Sequence, residues 1–149
     1  MIAVLQRASE GKVTVEDRIT GEIGTGLVIL LGVAQGDSEK DADFIADRIA
    51  GFRIFNDEDG KMNLSIRDVN GAALVVSQFT LVGDWRKGRR PSFTSAATPE
   101  EGERLYEYFC GQLRQLEVPV QTGEFGTMMD VSLINDGPVT FVMDSRKQP

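Results

Sequence analysis

The groups able to do chemistry in this chain are hydroxyls, amides, carboxylates and cations, because it holds no histidine and one cysteine. That excludes Ser-His-Asp and Cys-His triads within one chain, Cys2His2 zinc sites, HExxH metalloproteases and the His-containing iron triads. One polar cluster follows an apolar run: Leu74-Val75-Val76 leads into Ser77-Gln78-Phe79-Thr80-Leu81. Continued as a strand, this stretch would put Gln78 and Thr80 on one face and Ser77 and Phe79 on the other. Polar groups beside a core are costly unless hydrogen-bonded. The plainer account is that they satisfy nearby backbone. The functional account is a polar pocket floor, with Thr80 and strand amides near a reacting carbonyl.

Three other stretches carry polar or aromatic groups at suggestive spacing. Asn135-Asp136-Gly137-Pro138 reads as a tight turn, because Asp-Gly is a hairpin signal and Pro138 removes a donor. A cis Gly137-Pro138 bond would point two successive carbonyls the same way and make an acceptor site for an ammonium group. Arg86, Lys87, Arg89 and Arg90 put four cations in five positions of a chain whose formal charge is −7. They are either a solvated loop or, the reading favoured here, contacts to phosphate or RNA. Gly123-Glu124-Phe125-Gly126 either presents Phe125 or packs it into its own core. Cys110 lies inside a helix, far from the N-terminal turn that favours a thiolate, and reads as a core residue. Met128 and Met129 read as core too. Asn56-Asp57-Glu58-Asp59-Gly60 lacks EF-hand spacing and the closing Glu, so it reads as a solvated turn.

These stretches need a scaffold, and the pattern supplies one. Apolar residues at 41% and charged residues at 26% fit one globular domain over 1–149. A lone cysteine fits a reduced, cytoplasmic setting. The start, MIAVLQRASEGKVTV, has too short an apolar run for a signal peptide and no membrane span. Net acidity argues weakly against a generic nucleic-acid coat. Strands are expected over Met1–Ala8, Lys12–Val15 and Ile19–Ile23, the last two flanking a turn at Glu16-Asp17-Arg18. Leu27–Val33 is apolar on both faces and predicts a central strand. Asp37 or Ser38 caps a helix with Ala42, Ile45, Ile49 and Phe52 on its core face. Ala72–Leu81 is another buried strand. Thr98, Pro99 and Glu101 start a second helix through a capping box, with Leu105, Phe109, Leu113 and Leu116 facing inward. Val118–Val120, Met128–Ile134 and Val139–Met143 complete the strands. Strands outnumber helices, which points to an α+β or mixed sheet.

Taken together, these segments resemble the D-aminoacyl-tRNA deacylase family, also called D-tyrosyl-tRNA deacylase. The match is collinear through MIAVLQRA, GEIGTGLVILLGV, RIFNDEDGKMNLS, VVSQFTL, KGRRPSF, the helix at Thr98, TGEFG and VSLINDGPVT. SQFTL and GPVT are the most specific of these, and KGRRPSF lies between them. The first hairpin turn departs from the compact Gly-containing turn usual in the family, and Trp85 stands where a smaller residue is usual.

The resemblance implies a compact barrel-like mixed β-sheet with two main helices packed outside. It implies a homodimer with active sites at the subunit interface, acting without cofactor or metal on the 3′ end of aminoacyl-tRNA. The activity implied is ester hydrolysis of D-aminoacyl-tRNA, and of glycine mischarged on the tRNA for alanine. A cis Gly137-Pro138 motif would enter the partner's site, where its carbonyls bind the substrate amino group and L side chains clash. Ser77, Gln78, Phe79 and Thr80 would form the catalytic floor, with the Phe79 and Thr80 amides near the oxyanion. Thr80 would position water and substrate, helped by the RNA 2′-hydroxyl. Arg7 would orient the Gly-Pro motif, Phe125 and Met129 would line the adenosine pocket, and Arg86, Lys87, Arg89 and Arg90 would contact tRNA. A non-catalytic tRNA-binding module and a small-molecule esterase are the competing readings.

Overall fold

The computed structural model describes the whole chain, Met1–Pro149. Its first element is longer than the sequence pattern suggests: one strand, β1, runs over Ile2–Val15. The chain reverses at Glu16-Asp17, with Glu16 at a φ of 52°. It returns as β2 (Arg18–Ile23) and β3 (Gly26–Gly32). Gly11 faces Ile23 and Ala8 faces Gly26 in one register, which shifts by a residue between Val13 and Thr14 on β2's side of the turn.

The helix α1 (Glu39–Gly51) follows, capped at Ser38, whose N–H donates to Asp41 Oδ2 at 2.8 Å. A small hairpin, β4 (Phe55–Asn56) and β5 (Met62–Leu64), comes next. Between its strands the Asp57 carboxylate accepts the Asp59 and Lys61 amides, as a solvated turn requires. Next come β6 (Ala72–Ser77), a short 3-10 helix (Phe79–Val82) and α2 (Pro99–Gln115). Two strands finish the chain, β7 (Val120–Thr122) and β8 (Asp130–Asp144). At α2 the capping box is half made. Thr98 Oγ1 accepts the Glu101 N–H at 3.3 Å, while the Glu101 carboxylate turns to Arg104 at 2.9 Å.

The sheet is mixed. β3 pairs antiparallel with β1 and parallel with β6, which pairs parallel with β7. β8 runs antiparallel along the other edge of β1, and β2 curls round to lie against β7. The result is a nearly closed, barrel-like sheet. Alternation along β3 and β6 divides the core. Leu27, Ile29, Leu31, Ala73 and Val75 face the helices, with Ile45, Ile49, Leu105, Phe109 and Leu113. Val28, Leu74 and Val76 face the other way, onto Ala8, Val13, Val15 and Ile23. Phe52 caps α1 and packs edge-on to Phe141 at 5.0 Å. No helix is long and apolar enough to cross a membrane.

Several expected boundaries change; the strand expected over Val118–Val120 is β7, over Val120–Thr122. β6 stops at Ser77, because its partner β3 ends one residue past Leu31, and the Gln78 amide closes onto Leu31 O at 2.8 Å. The expected turn at Asn135–Pro138 does not separate two strands; it is a bulge within the single strand β8.

Cys110 is buried under α2, and desolvation pushes its thiol up to about 11, from an ordinary value of 9.0. Tyr106, buried beside it and donating to Val75 O, is likewise raised by desolvation. Above pH 9 the unfolded chain loses the Cys110 proton while the folded chain holds it. Stability is therefore lost between pH 9 and 11, by about 2 kcal/mol for this group. Thermal melts across that range should fall, and Cys110→Ala should fall less steeply; parallel slopes would refute the assignment.

Candidate active site at a strand end and a facing bulge

The strand β6 carries its chain out of the core at Ser77, and the 3-10 turn folds back over the end of β3. Close approach there needs Gly32: a Cβ at that position would lie 3.0 Å from Leu81 Cβ and 3.1 Å from Gln78 O. The turn brings Gln78 and Thr80 together, with Gln78 Nε2 donating to Thr80 Oγ1. Strand alternation was expected to pair these two side chains, but the 3-10 turn does so instead. Ser77 and Gln78 are half-buried, and Thr80 is exposed. The Phe79 and Thr80 N–H groups open the turn and have no acceptor within it. Phe79 is 58% exposed and packs edge-on to Phe93, with ring centroids 5.1 Å apart.

The second element is the β8 bulge. Gln6 faces Thr140 and Ala8 faces Asn135, so Asp136–Val139 stand opposite Arg7 alone. Arg7 is 5% exposed. Its Nε donates to Asp136 O at 3.0 Å, and Nη1 donates to Ile54 O at 2.7 Å and Asn56 Oδ1 at 3.2 Å. The base of the bulge is closed by Asn135, whose Oδ1 accepts the Val139 N–H at 2.9 Å and whose Nδ2 donates to Thr140 Oγ1 at 3.1 Å. Gly137 has a φ of 145°, and a Cβ there would lie 2.8 Å from Val139 N, so only glycine fits. The Gly137-Pro138 peptide is cis, and both residues are exposed.

These two elements do not meet within one chain. Arg7 pairs with Leu27, and Leu27 with Ala73, four residues before Ser77. The bulge therefore lies about 14 Å across the sheet and about 13 Å along it from Ser77. A cavity of about 570 Å³ lies between α1 and the end of β8, lined by Phe44, Phe52 and Met143. Another of about 210 Å³ lies beside Glu10–Lys12. Neither is lined by Ser77–Thr80 or by Gly137 and Pro138.

The remaining expected residues divide. Gly123 N–H donates to Val75 O, which seats Gly123–Met129 beside the end of β6. Phe125 is half-buried against Tyr106, at 6.0 Å, so much of it packs on α2. Met129 packs against the smaller core. Met128, expected in the core, is 91% exposed. In the basic loop, Asp84 and Ser92 bridge the two arms. Arg86 is not a free cation: its Nε and Nη2 reach the two Asp84 carboxylate oxygens at 2.9 Å each. That contact holds the Asp84 carboxyl down to about 2. Lys87, Arg89 and Arg90 are exposed and make no ion pair.

The family model described as D-Tyr-tRNA(Tyr) deacylase matches residues 4–144. The chain belongs to that family. The D-aminoacyl-tRNA deacylase of Thermotoga petrophila is 55% identical over 147 residues, covering 99% of both chains. That of Thermus aquaticus is 57% identical over 149 residues, covering all of this chain and 98% of its own. A solved structure described as c-Myc DNA Unwinding Element Binding Protein superposes with a TM-score of 0.90 at 38% identity, over 97% and 98% of the two chains. One of a probable eukaryotic D-amino acid tRNA deacylase shares the fold, with a TM-score of 0.81 at 17% identity, over 95% and 97%. The deacylase is a hydrolase of the aminoacyl-tRNA ester bond.

Sequence reasoning missed Gly32, Asn56 and Asn135 as supports. Gly32 had a signal, a glycine inside a strand; Asn56, 49 residues from Arg7 in the chain, had none. Gly32→Ala should push on the Gln78 carbonyl and cost about 1–3 kcal/mol of stability. With Ser77–Thr80 as the candidate site, it should lower deacylation by about 100-fold, because displaced reacting groups lose rate steeply. Gly111→Ala on α2, where a Cβ meets nothing within 4 Å, is the control. Equal turnover by the two variants in a D-tyrosyl-tRNA assay would exclude this role for Gly32.

Proposed function

We propose that the deacylase works as a homodimer in which the Asp136–Pro138 bulge of one subunit completes the Ser77–Thr80 site of the other. The observation that carries this reading is the separation of two prepared, exposed elements within one chain. Arg7 and Asn135 hold the bulge rigidly, yet nothing in its own chain uses it. The exposed Phe79–Phe93 pair beside the turn is apolar surface suited to a contact between subunits.

In this site the bulge carbonyls accept the substrate α-ammonium. An L side chain then points into the bulge and clashes, while a D side chain points away. Glycine offers nothing to reject, so glycyl-tRNA for alanine is also a substrate. The Phe79 and Thr80 N–H groups stabilise the developing oxyanion, worth about 2.7–4 kcal/mol per donor in other enzymes. Thr80 Oγ1 already accepts the Gln78 amide and has no base beside it, which makes it a poor nucleophile and a good positioning donor. Water adds to the ester carbonyl, the C–O bond to the tRNA breaks, and the 3′ oxygen leaves with a proton. The 2′-hydroxyl stabilises that leaving oxygen. Ser77 orients the ester, Phe125 and Met129 line the adenosine side, and Lys87, Arg89 and Arg90 contact phosphates. Arg86 braces the loop through Asp84. A tRNA substrate supports the cytoplasmic setting expected from the sequence.

D- and L-tyrosyl-tRNA assayed with and without chelator test the chemistry. Cleavage of the D ester alone, unaffected by chelator, is expected. Equal cleavage of the L ester rejects chiral selection, and binding without cleavage would leave a non-catalytic module. Thr80→Ala should retain turnover reduced by about 10–100-fold, against about 10⁴ or more for loss of a nucleophile. Mixing a variant damaged in the Ser77–Thr80 turn with one shortened at the bulge should restore about a quarter of wild-type activity, through random reassortment of subunits. No restoration, or a monomer by light scattering that stays active, rejects the shared site.

A further inference from the structure

We propose that Trp85 is a stacking platform for an unpaired base of the tRNA 3′ end, just upstream of the esterified nucleotide. This rests on the basic loop being the tRNA contact. Trp85 is 81% exposed, in a chain that buries its other large aromatics wholly or in part apart from the Phe79–Phe93 pair. Its display is not loose. On one side Asp84 N–H donates to Ser92 O at 2.7 Å and Ser92 N–H returns the bond to Asp84 O at 2.9 Å. On the other, Arg86 N–H donates to Asp84 Oδ1 at 3.0 Å, and the Arg86 guanidinium grips the same carboxylate. Trp85 is thus held between two fixed residues, and part of the ordering cost of presenting it is met before binding.

The surroundings select the occupant. Lys87, Arg89 and Arg90 are unpaired cations on the same hairpin. A cationic strip with an exposed indole is the chemistry that holds single-stranded nucleic acid: phosphates on the cations, a base face on the ring. A base inside a duplex has both faces covered, so the partner must be unpaired. Trp85 follows Thr80 by five residues and lies at most about 18 Å from it. With the esterified nucleotide at Thr80, the nucleotides within that span are those immediately upstream of it. Stacking reads a face that every base has, so it adds affinity without sequence preference.

Trp85 is the chain's one tryptophan, so its fluorescence reports this contact alone. Deacylated tRNA should quench it on titration, and tRNA trimmed of its unpaired 3′ nucleotides should not. Trp85→Ala should weaken binding of intact tRNA by about 5- to 150-fold, and Trp85→Phe should recover most of that loss. On D-tyrosyl-tRNA the alanine variant should raise KM more than it lowers kcat. Unchanged fluorescence while tRNA binds by filter assay, or unchanged affinity of Trp85→Ala, overturns the proposal while leaving the tRNA reading intact. A signal that follows protein dilution and ignores tRNA also overturns it, by placing Trp85 in a contact between subunits. Failure of the wild-type enzyme to bind tRNA at all would instead bring down the reading on which it rests.

Discussion

Burial of β3 and β6 on both faces is the constraint from which the rest of this structure follows. Leu27, Ile29 and Leu31 need the helices on one side; Val28, Leu74 and Val76 need the curled β1–β2 ribbon on the other. A strand with two apolar faces has no place for an unpaired polar side chain except at its end. Polar chemistry therefore gathers where β6 leaves the core, at Ser77. The sharp 3-10 turn after it is the geometry by which Gln78 and Thr80 leave the sheet and still satisfy one another. Gly32 makes room for that turn, which places a supporting residue for the site inside the most apolar segment of the chain.

Arg7 solves the complementary problem at the far edge. β8 carries extra residues opposite β1, and a bulge of that size exposes backbone groups that need partners or water. A buried guanidinium supplies them, joining Asp136 O in the bulge to Ile54 O and Asn56 in the small hairpin. Such a fork needs a planar cation with donors in several directions, which lysine does not offer. The same bulge interrupts the long outer strand and blunts an edge that could otherwise pair without limit. One feature thus limits aberrant association and projects a defined loop.

The periodic parts of this architecture were legible in the sequence. Leu27–Val33 reads as a two-faced strand and the two helical stripes read as core faces, because burial repeats with the geometry of each element. Thr98 and Pro99 mark a helix start through local bonding alone. What was not legible depends on distance in space. The end of β6 is set by where its partner β3 stops, which no residue near Thr80 encodes. The bulge has a turn's composition, and only its pairing along the whole of β1 shows that β8 continues through it. Arg86 counts as a cation in any tally of charge; the Asp84 carboxylate two residues earlier engages two of its three guanidinium nitrogens. The strings SQFTL and GPVT single out candidate residues that periodicity does not, because a family pattern records such long-range consequences in a local string.

The lack of histidine then has a physical meaning. An aminoacyl ester is already activated, so a deacylase gains more from holding it correctly than from strengthening a nucleophile. In the proposed site, recognition falls to backbone carbonyls on one subunit and backbone amides on the other. Such groups do not titrate near neutrality, and they read the α-carbon and its amino group, which every substrate shares. Selectivity then concerns handedness and not side-chain identity. The charge distribution follows the same division. In the proposed reading, an overall charge of −7 repels nucleic acid from most of the surface, while the exposed Lys87, Arg89 and Arg90 accept it at one place. Because that place is tied through Phe79–Val82 to the end of β6, the burial that fixes the turn also sets where RNA would approach the proposed site.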